Sequence, residues 1–166
     1  MPEILKVEKL SHVYSPGTAF ERTAIKDIDL TIAEGEFVGL IGHTGSGKST
    51  LVQHLNGLLA PSSGHVYVDG EDIRTLDRSG LRSLFGMVLQ DTWLFSGTIR
   101  ENIRYGRPDA ADEEVYAAAK AARADHFIRS LTDGYDTVLS EEGSNISQGQ
   151  KQLLTIARAI LKDPRI

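Results

Sequence analysis

Gly42-His43-Thr44-Gly45-Ser46-Gly47-Lys48-Ser49 sets two glycines around four intervening residues, followed by a lysine and a hydroxyl. This is the spacing of a phosphate-binding loop. Glycines let successive backbone N–H groups turn inward around an anion. A helix opening at the last of them adds its free N–H groups and the positive end of its dipole. Lys48 would lie along the terminal phosphates of a nucleotide, and the Ser49 hydroxyl would ligate Mg²⁺. The plain alternative is a Gly/Ser-rich turn that matches the spacing by chance.

That chemistry needs a strand before the loop and a helix after it. Phe37-Val38-Gly39-Leu40-Ile41 is short, apolar and β-prone, and predicts a buried strand. Residues 48–59 predict a helix with Leu51, Leu55, Leu58 and Leu59 on one side. Upstream, Ile4 to Val13 and Ala24 to Ile32 alternate apolar with polar residues, as half-buried strands do. Ser15-Pro16-Gly17 and Glu34-Gly35 are turn signals. His65-Val66-Tyr67-Val68 is a further short strand before an Asp69-Gly70 hairpin turn. Leu76 to Leu84 predicts a short helix, and Gly86 to Leu89 a buried strand ending at Gln90. After Gln90 the pattern turns helical, at Thr98 to Tyr105, Asp112 to Ala124 and Asp125 to Ser130. Ser147 to Leu161 predicts the last helix, with Leu153, Ile156, Ala157, Ile160 and Leu161 as its apolar stripe, stopped by Asp163-Pro164.

The 166 residues suit one domain with a real core, and 40% apolar with 25% charged residues suits a globular protein. With no cysteine there is no disulfide and no thiolate chemistry. A net charge of -5 argues against a nucleic-acid partner. No apolar run approaches the roughly 20 residues of a membrane span, and no signal segment opens the chain, so a cytoplasmic location is expected.

A second motif follows in order: Asn145-Ile146-Ser147-Gln148-Gly149-Gln150-Lys151-Gln152. It resembles the signature of ATP-binding cassette (ABC) ATPases, whose usual form is Leu-Ser-Gly-Gly-Gln; here Ile146 and Gln148 depart from it. The resemblance extends over nearly the whole chain. Residues from about Ile4 to Ile73 resemble the ATPases of energy-coupling-factor importers, through Tyr14 to Glu21 and His54 to Leu59. Residues from about Leu81 resemble multidrug or lipid exporters, through Val88 to Ile99 and Ser140 to Asn145. A mosaic of the two branches is one reading of this.

The resemblance implies an α/β fold: a P-loop NTPase core of the ABC type with an N-terminal antiparallel β part and an inserted helical subdomain. The implied division is 1–90 for the nucleotide-binding core, 91–142 for the helical subdomain and 143–166 for the signature loop and helix. ATP and Mg²⁺ are the implied ligands. Gly42, His43, Thr44, Gly45, Ser46, Gly47, Lys48 and Ser49 hold the phosphates, and Thr50 contacts the α-phosphate or merely starts the helix. Tyr14 stacks on adenine, or is an ordinary edge-strand tyrosine. Gln90 touches Mg²⁺ or the attacking water, with Lys48 as the other catalytic group, or is a loop glutamine. Ser147, Gly149 and Gln150 face the γ-phosphate of a second, head-to-tail nucleotide-binding domain, with helix capping as the alternative role for Ser147. Asn145, Gln148 and Lys151 are weaker members of that set.

Trp93, Leu94 and Phe95 are either a surface for a transmembrane partner's cytoplasmic helix or the small core of the helical part. Glu141 and Glu142 either relay to that partner or are solvated charges. His12, His43, His54, His65 and His126 have no metal or base spacing, and are taken as structural or surface residues. In the family, a strand with an Asp for Mg²⁺ and a Glu that polarises water follows the signature helix, and a switch His comes later; all three would lie beyond Ile166. The expected function is therefore the ATP-binding domain of an ABC transporter, peripheral to the membrane through its partner, with binding but little turnover from these residues alone. A soluble P-loop NTPase outside transport and a non-catalytic fragment are the alternatives.

Overall fold

The computed structural model describes residues 2–89, 92–140 and 143–166. Gln90, Glu141 and Glu142 lie outside the described residues. Two compact units divide the chain, residues 1–83 and 84–166.

The first unit is an antiparallel sheet with one helix on the phosphate loop. Strands β1 (Glu3–Tyr14) and β2 (Arg22–Ala33) form a hairpin. β3 (Ser63–Val68) adds to the other side of β1, and β4 (Glu71–Asp72) to β3, giving the order β2-β1-β3-β4. Both turn residues of the β3–β4 hairpin have positive φ, Asp69 at 51° and Gly70 at 81°. That is the backbone a two-residue turn needs to match strand twist. Alternation along β1 is interrupted at Lys9, where φ is 47° and the register with β2 shifts. The bulge turns both Val7 and Leu10 inward, 2% and 0% exposed, although they stand an odd number of positions apart. Lys9 is held there by Asp29, which accepts its backbone N–H at 2.9 Å. Leu5, Val66 and Val68 complete this small core.

Helix α1 (Lys48–Leu55) is shorter than the sequence pattern predicts and ends at Asn56, before Gly57 at φ 70°. Its buried residues are Thr50, Leu51 and His54, while Leu58 is exposed. The leucine stripe therefore reduces to buried Leu51 and half-buried Leu55, because Leu58 and Leu59 fall beyond the helix end. α2 (Arg78–Ser83) closes the unit, with Leu81 buried.

Two predicted strands are not formed. Phe37–Ile41 carries no ladder, and Phe37 and Ile41 are 101% and 99% exposed. Gly86 to Leu89 likewise carries none, and Met87, Val88 and Leu89 are exposed. A strand needs a neighbour to take its N–H and C=O groups, and apolar composition does not supply one. Within the second unit a trace of such pairing exists. Ile166 donates to the Leu84 carbonyl at 2.9 Å, and Gly86 donates to the Ile166 carbonyl at 2.8 Å. These two bonds have the slant of a parallel bridge.

The second unit is helical. α3 (Ile99–Arg104), α4 (Asp112–Ala121), α5 (Asp125–Ser130) and α6 (Gln148–Lys162) enclose a core of Leu94, Ile99, Ile103, Val115, Ile128, Leu139 and Leu154, with Ala118, Ala119 and Ala157 where helices approach closely. β5 (Gly97–Thr98) and β6 (Val138–Leu139) pair beside it. Local chemistry sets the helix starts. Thr98 and Glu101 form a reciprocal capping box on α3, and Asp112, Glu113 and Glu114 fill the first turn of α4. On α6 the buried residues are Leu154, Ala157 and Leu161, with Leu153 and Ile156 packed at the core's edge and Ile160 exposed, so the predicted stripe holds except at Ile160 and gains Leu154. Asp163, at φ 52°, ends the helix. Among the described residues no helix is long and apolar enough to cross a membrane.

Candidate nucleotide site

The phosphate loop runs directly into α1. Gly47 caps the helix at φ 91° and ψ 0°, with no side-chain cap. A Cβ there would lie 2.7 Å from the Ala24 carbonyl oxygen, so both the conformation and the close approach to β2 require glycine. Leu51 donates to the Gly47 carbonyl at 2.8 Å, the first bond of the helix. Among the described residues nothing accepts the N–H groups of Lys48, Ser49 and Thr50. These are the orphan donors of a helix start, and an oxyanion is their natural acceptor.

Lys48 folds back over the loop. Its Nζ donates to the Gly42 carbonyl at 2.5 Å, the His43 carbonyl at 2.9 Å and Ser46 Oγ at 3.2 Å. The ammonium thus spans the concave side of the loop from both ends and is satisfied by three neutral oxygens. A phosphate oxygen would compete for it with full charge. Ser49 is exposed, in the first turn of α1. His43 Nδ1 stands 2.8 Å from the Thr44 carbonyl.

The end of the β1–β2 hairpin approaches the same loop. Tyr14, 40% exposed, bonds through its hydroxyl to Thr50 Oγ1 at 3.2 Å. Thr50 is buried, and its hydroxyl is engaged by Tyr14 in this arrangement. Arg22 pairs with Tyr14 across the hairpin, and its Nη2 lies 3.4 Å from where a Cβ on Gly45 would stand. No ion pair or hydrogen bond engages the Arg22 side chain among the described residues. Sequence reasoning missed Arg22: the signal was the cross-strand register, which fixes which residue faces Tyr14 and is not legible before the hairpin is known.

The second motif opens α6. Ser147 Oγ accepts the Gln150 N–H at 3.3 Å, and Gln150 Oε1 accepts the Ser147 N–H at 2.9 Å. The capping role for Ser147 is therefore real. Ser147, Gln148 and Gly149 are nevertheless exposed, and a Cβ on Gly149 would meet nothing within 4 Å. Two N–H groups, of Gln148 and Gly149, have no acceptor among the described residues. Asn145 is spent on structure: its amide donates to the Val138 carbonyl at 3.0 Å and accepts from the Ser140 N–H at 3.2 Å. Gln148 Nε2 reaches Thr92 Oγ1 at 3.3 Å.

The Trp93–Phe95 cluster divides. Leu94 is 1% exposed and belongs to the core, whereas Trp93 is 59% exposed. The Trp93, Phe95 and Tyr105 rings meet with centroids 5.7 to 6.2 Å apart, and the Arg158 guanidinium lies 5.2 Å over Tyr105. No cluster of metal-ligating side chains stands among the described residues.

These features have counterparts in known proteins. The chain is 46% identical over 162 residues to a fatty acid ABC transporter ATP-binding/permease protein of Mycobacterium tuberculosis, covering 98% of this chain and 25% of that protein. That single relative spans both segments whose resemblances differ. An uncharacterized ABC transporter ATP-binding protein of Bacillus subtilis, YfiC, is 54% identical over 140 residues, covering 84% of this chain and 23% of the relative. The structure of a bacterial Atm1-family ABC exporter with ATP bound superposes with a TM-score of 0.89 at 37% identity, over 98% of this chain and 28% of that one. The chain thus spans about a quarter of the length of the relatives it matches. The ABC transporter family model matches residues 25–166, and with the phosphate loop and signature helix in family order, the chain belongs to the ABC transporter family.

Proposed function

We propose that this chain binds ATP with Mg²⁺ through the phosphate loop, as the nucleotide-binding part of an ABC transporter. The observation that carries the reading is the start of α1: three orphan N–H groups beside a lysine that already faces into the loop. That donor set fits a polyphosphate. Ser49 offers one hard oxygen in the right turn for Mg²⁺, which takes most of its other ligands from phosphate and water. Gln90 is proposed as a further contact to Mg²⁺ or to the attacking water. Tyr14 is proposed as the adenine platform: its ring is partly exposed and its hydroxyl is anchored. Stacking on such a ring is worth roughly 1–3 kcal/mol.

Ser147, Gly149 and Gln150 are proposed to meet the γ-phosphate bound to a second, head-to-tail copy of the domain. The open N–H groups at the tip of α6 support this. The exposed faces of Trp93 and Tyr105 suit a docked helix of a transmembrane partner, through which the domain would sit at the cytoplasmic membrane surface. Residues 91–142 are proposed as the helical subdomain. Bound ATP supplies the phosphoryl bond to be broken. The residues identified here grip and neutralise it.

Calorimetric titration tests the reading. Lys48→Ala is expected to abolish ATP–Mg²⁺ binding while the chain still melts cooperatively. Unchanged affinity in that variant would remove the assignment.

A further inference from the structure

The nucleotide reading gives no role to His12 or His54, although both stand between its two halves. His54 lies in α1, one turn after Thr50, and is 0% exposed. Its Nδ1 is 2.6 Å from the Thr50 carbonyl. A carbonyl only accepts, so Nδ1 carries the proton. In neutral His54 the other nitrogen, Nε2, is then an acceptor. His12 Nδ1 lies 3.2 Å from it and is the donor. The His12 ring stands edge-on to Tyr14, with centroids 4.6 Å apart and planes at 81°. Tyr14 returns through its hydroxyl to Thr50 Oγ1. The contacts close a circuit: Thr50 backbone, His54, His12, Tyr14, Thr50 side chain.

We propose that His12 and His54 are positioning residues that hold the Tyr14 ring at a fixed angle to the phosphate-loop helix, joining base recognition to phosphate recognition. The inference rests on Tyr14 being the base platform. One hydrogen bond at the hydroxyl leaves a tyrosine free to tilt; the His12 edge removes that freedom. A platform ordered before binding does not lose its rotamer entropy on binding. In neutral His54 this bond runs from His12 to Nε2, and a protonated His54 would donate to His12 Nδ1 instead, so the contact itself survives either way. Burial, above all, favours that neutral form; the neighbouring His12 acts in the same sense, and the Thr50 and Ala60 carbonyls oppose it. The titratable groups facing His54 are His12 and, beyond it, Tyr14, both on β1.

The test compares ATP–Mg²⁺ with inorganic tripolyphosphate–Mg²⁺, which lacks a base, by calorimetry on the wild-type chain and on His12→Ala, His12→Asn and Lys48→Ala. His12→Ala should weaken ATP roughly three- to tenfold and leave tripolyphosphate within about twofold. His12→Asn, whose amide can still donate to His54 Nε2, should recover part of the loss and serves where the alanine variant does not fold. Equal losses for both ligands, or an unchanged ATP affinity, would overturn the proposal. Lys48→Ala separates the two levels: it should lose both ligands. If it loses neither, the nucleotide reading itself fails and the positioning role falls with it.

Discussion

Asn102 is the most exacting polar position in the helical unit, and its removal gives a sharp prediction. Its side chain is fully buried on α3 and makes four hydrogen bonds. Oδ1 accepts from the Phe95 N–H and from Arg158 Nη2, each at 3.1 Å. Nδ2 donates to the Phe95 carbonyl at 3.0 Å and the Thr98 carbonyl at 3.1 Å. Arg158, on α6, adds bonds to the Asn102 carbonyl at 2.9 Å and the Trp93 carbonyl at 3.0 Å. This one amide therefore ties the aromatic segment to two helices. Asn102→Ala deletes three neutral bonds, at about 1 kcal/mol each, and one to a charged group, at about 2 kcal/mol. Shared partners and water entry make the sum an upper figure, so about 3–5 kcal/mol is expected. For a chain of this size that lowers the melting midpoint by roughly 10 °C. Trp93 is the sole tryptophan, so its fluorescence anisotropy reports directly on release of the segment and should drop in the variant. A midpoint lowered by under about 2 °C, with unchanged Trp93 anisotropy, would refute the view that this network holds the aromatic face.

Arg22→Gln should weaken ATP–Mg²⁺ and tripolyphosphate alike, by roughly tenfold, and flatten the salt dependence of both, because the unpaired guanidinium beside Gly45 is read as a second phosphate cation; titrations at two salt concentrations check this, and equal affinities would exclude it. The Tyr135 hydroxyl donates to Asp125 at 2.6 Å, a bond that chiefly holds the Asp125 carboxyl below its ordinary value, while burial and then the same bond hold the Tyr135 phenol above its own. Both protonation equilibria then favour the fold between about pH 4 and pH 10: Asp125's contribution is lost as pH falls below the ordinary carboxylate value, and Tyr135's as pH rises above the ordinary phenol value. Tyr135→Phe should flatten both flanks of a melting-midpoint profile against pH, and an unaltered profile would contradict the sign.

What could be read in advance was the local chemistry. The phosphate loop, the Ser147 cap, the Asp69-Gly70 turn and the strands β1 and β2 depend on neighbours a few residues away, or on side-chain types with a strong backbone preference. The misses have non-local causes. Phe37–Ile41 and Gly86–Leu89 have the composition of interior parallel strands, but a parallel strand exists only where another segment pairs with it. The stripe of α6 was read without Leu154, a fully buried member, because Leu153 and Leu154 sit about 100° apart on the helix and only packing against α3 and α4 centres the face on Leu154. His12 and His54 are 42 residues apart and met only because β1 runs beside α1. Spacing rules for metal or base sites could not pair them.

The two helix tips are not equivalent, and the difference bears on how they would share a nucleotide. α1 begins at a glycine with no side-chain cap, so its first N–H groups stay open, and Lys48 adds a full charge. The tip of α6 carries a capping box that uses the Gln150 N–H, leaving those of Gln148 and Gly149. An ion held by two neutral donors and a partial dipole is held weakly in water, whereas one already gripped by a lysine and three amides can recruit those two donors at small further cost. On the proposed reading, the α1 site would bind first and alone. The α6 tip would add its donors to a phosphate that something else has already fixed, as a contact across two chains would require. Because Lys48 starts bonded to three loop oxygens, first binding is an exchange of partners rather than the filling of an unsatisfied site. On the proposed reading, selectivity for polyphosphate would then come from the charge of the incoming oxygens.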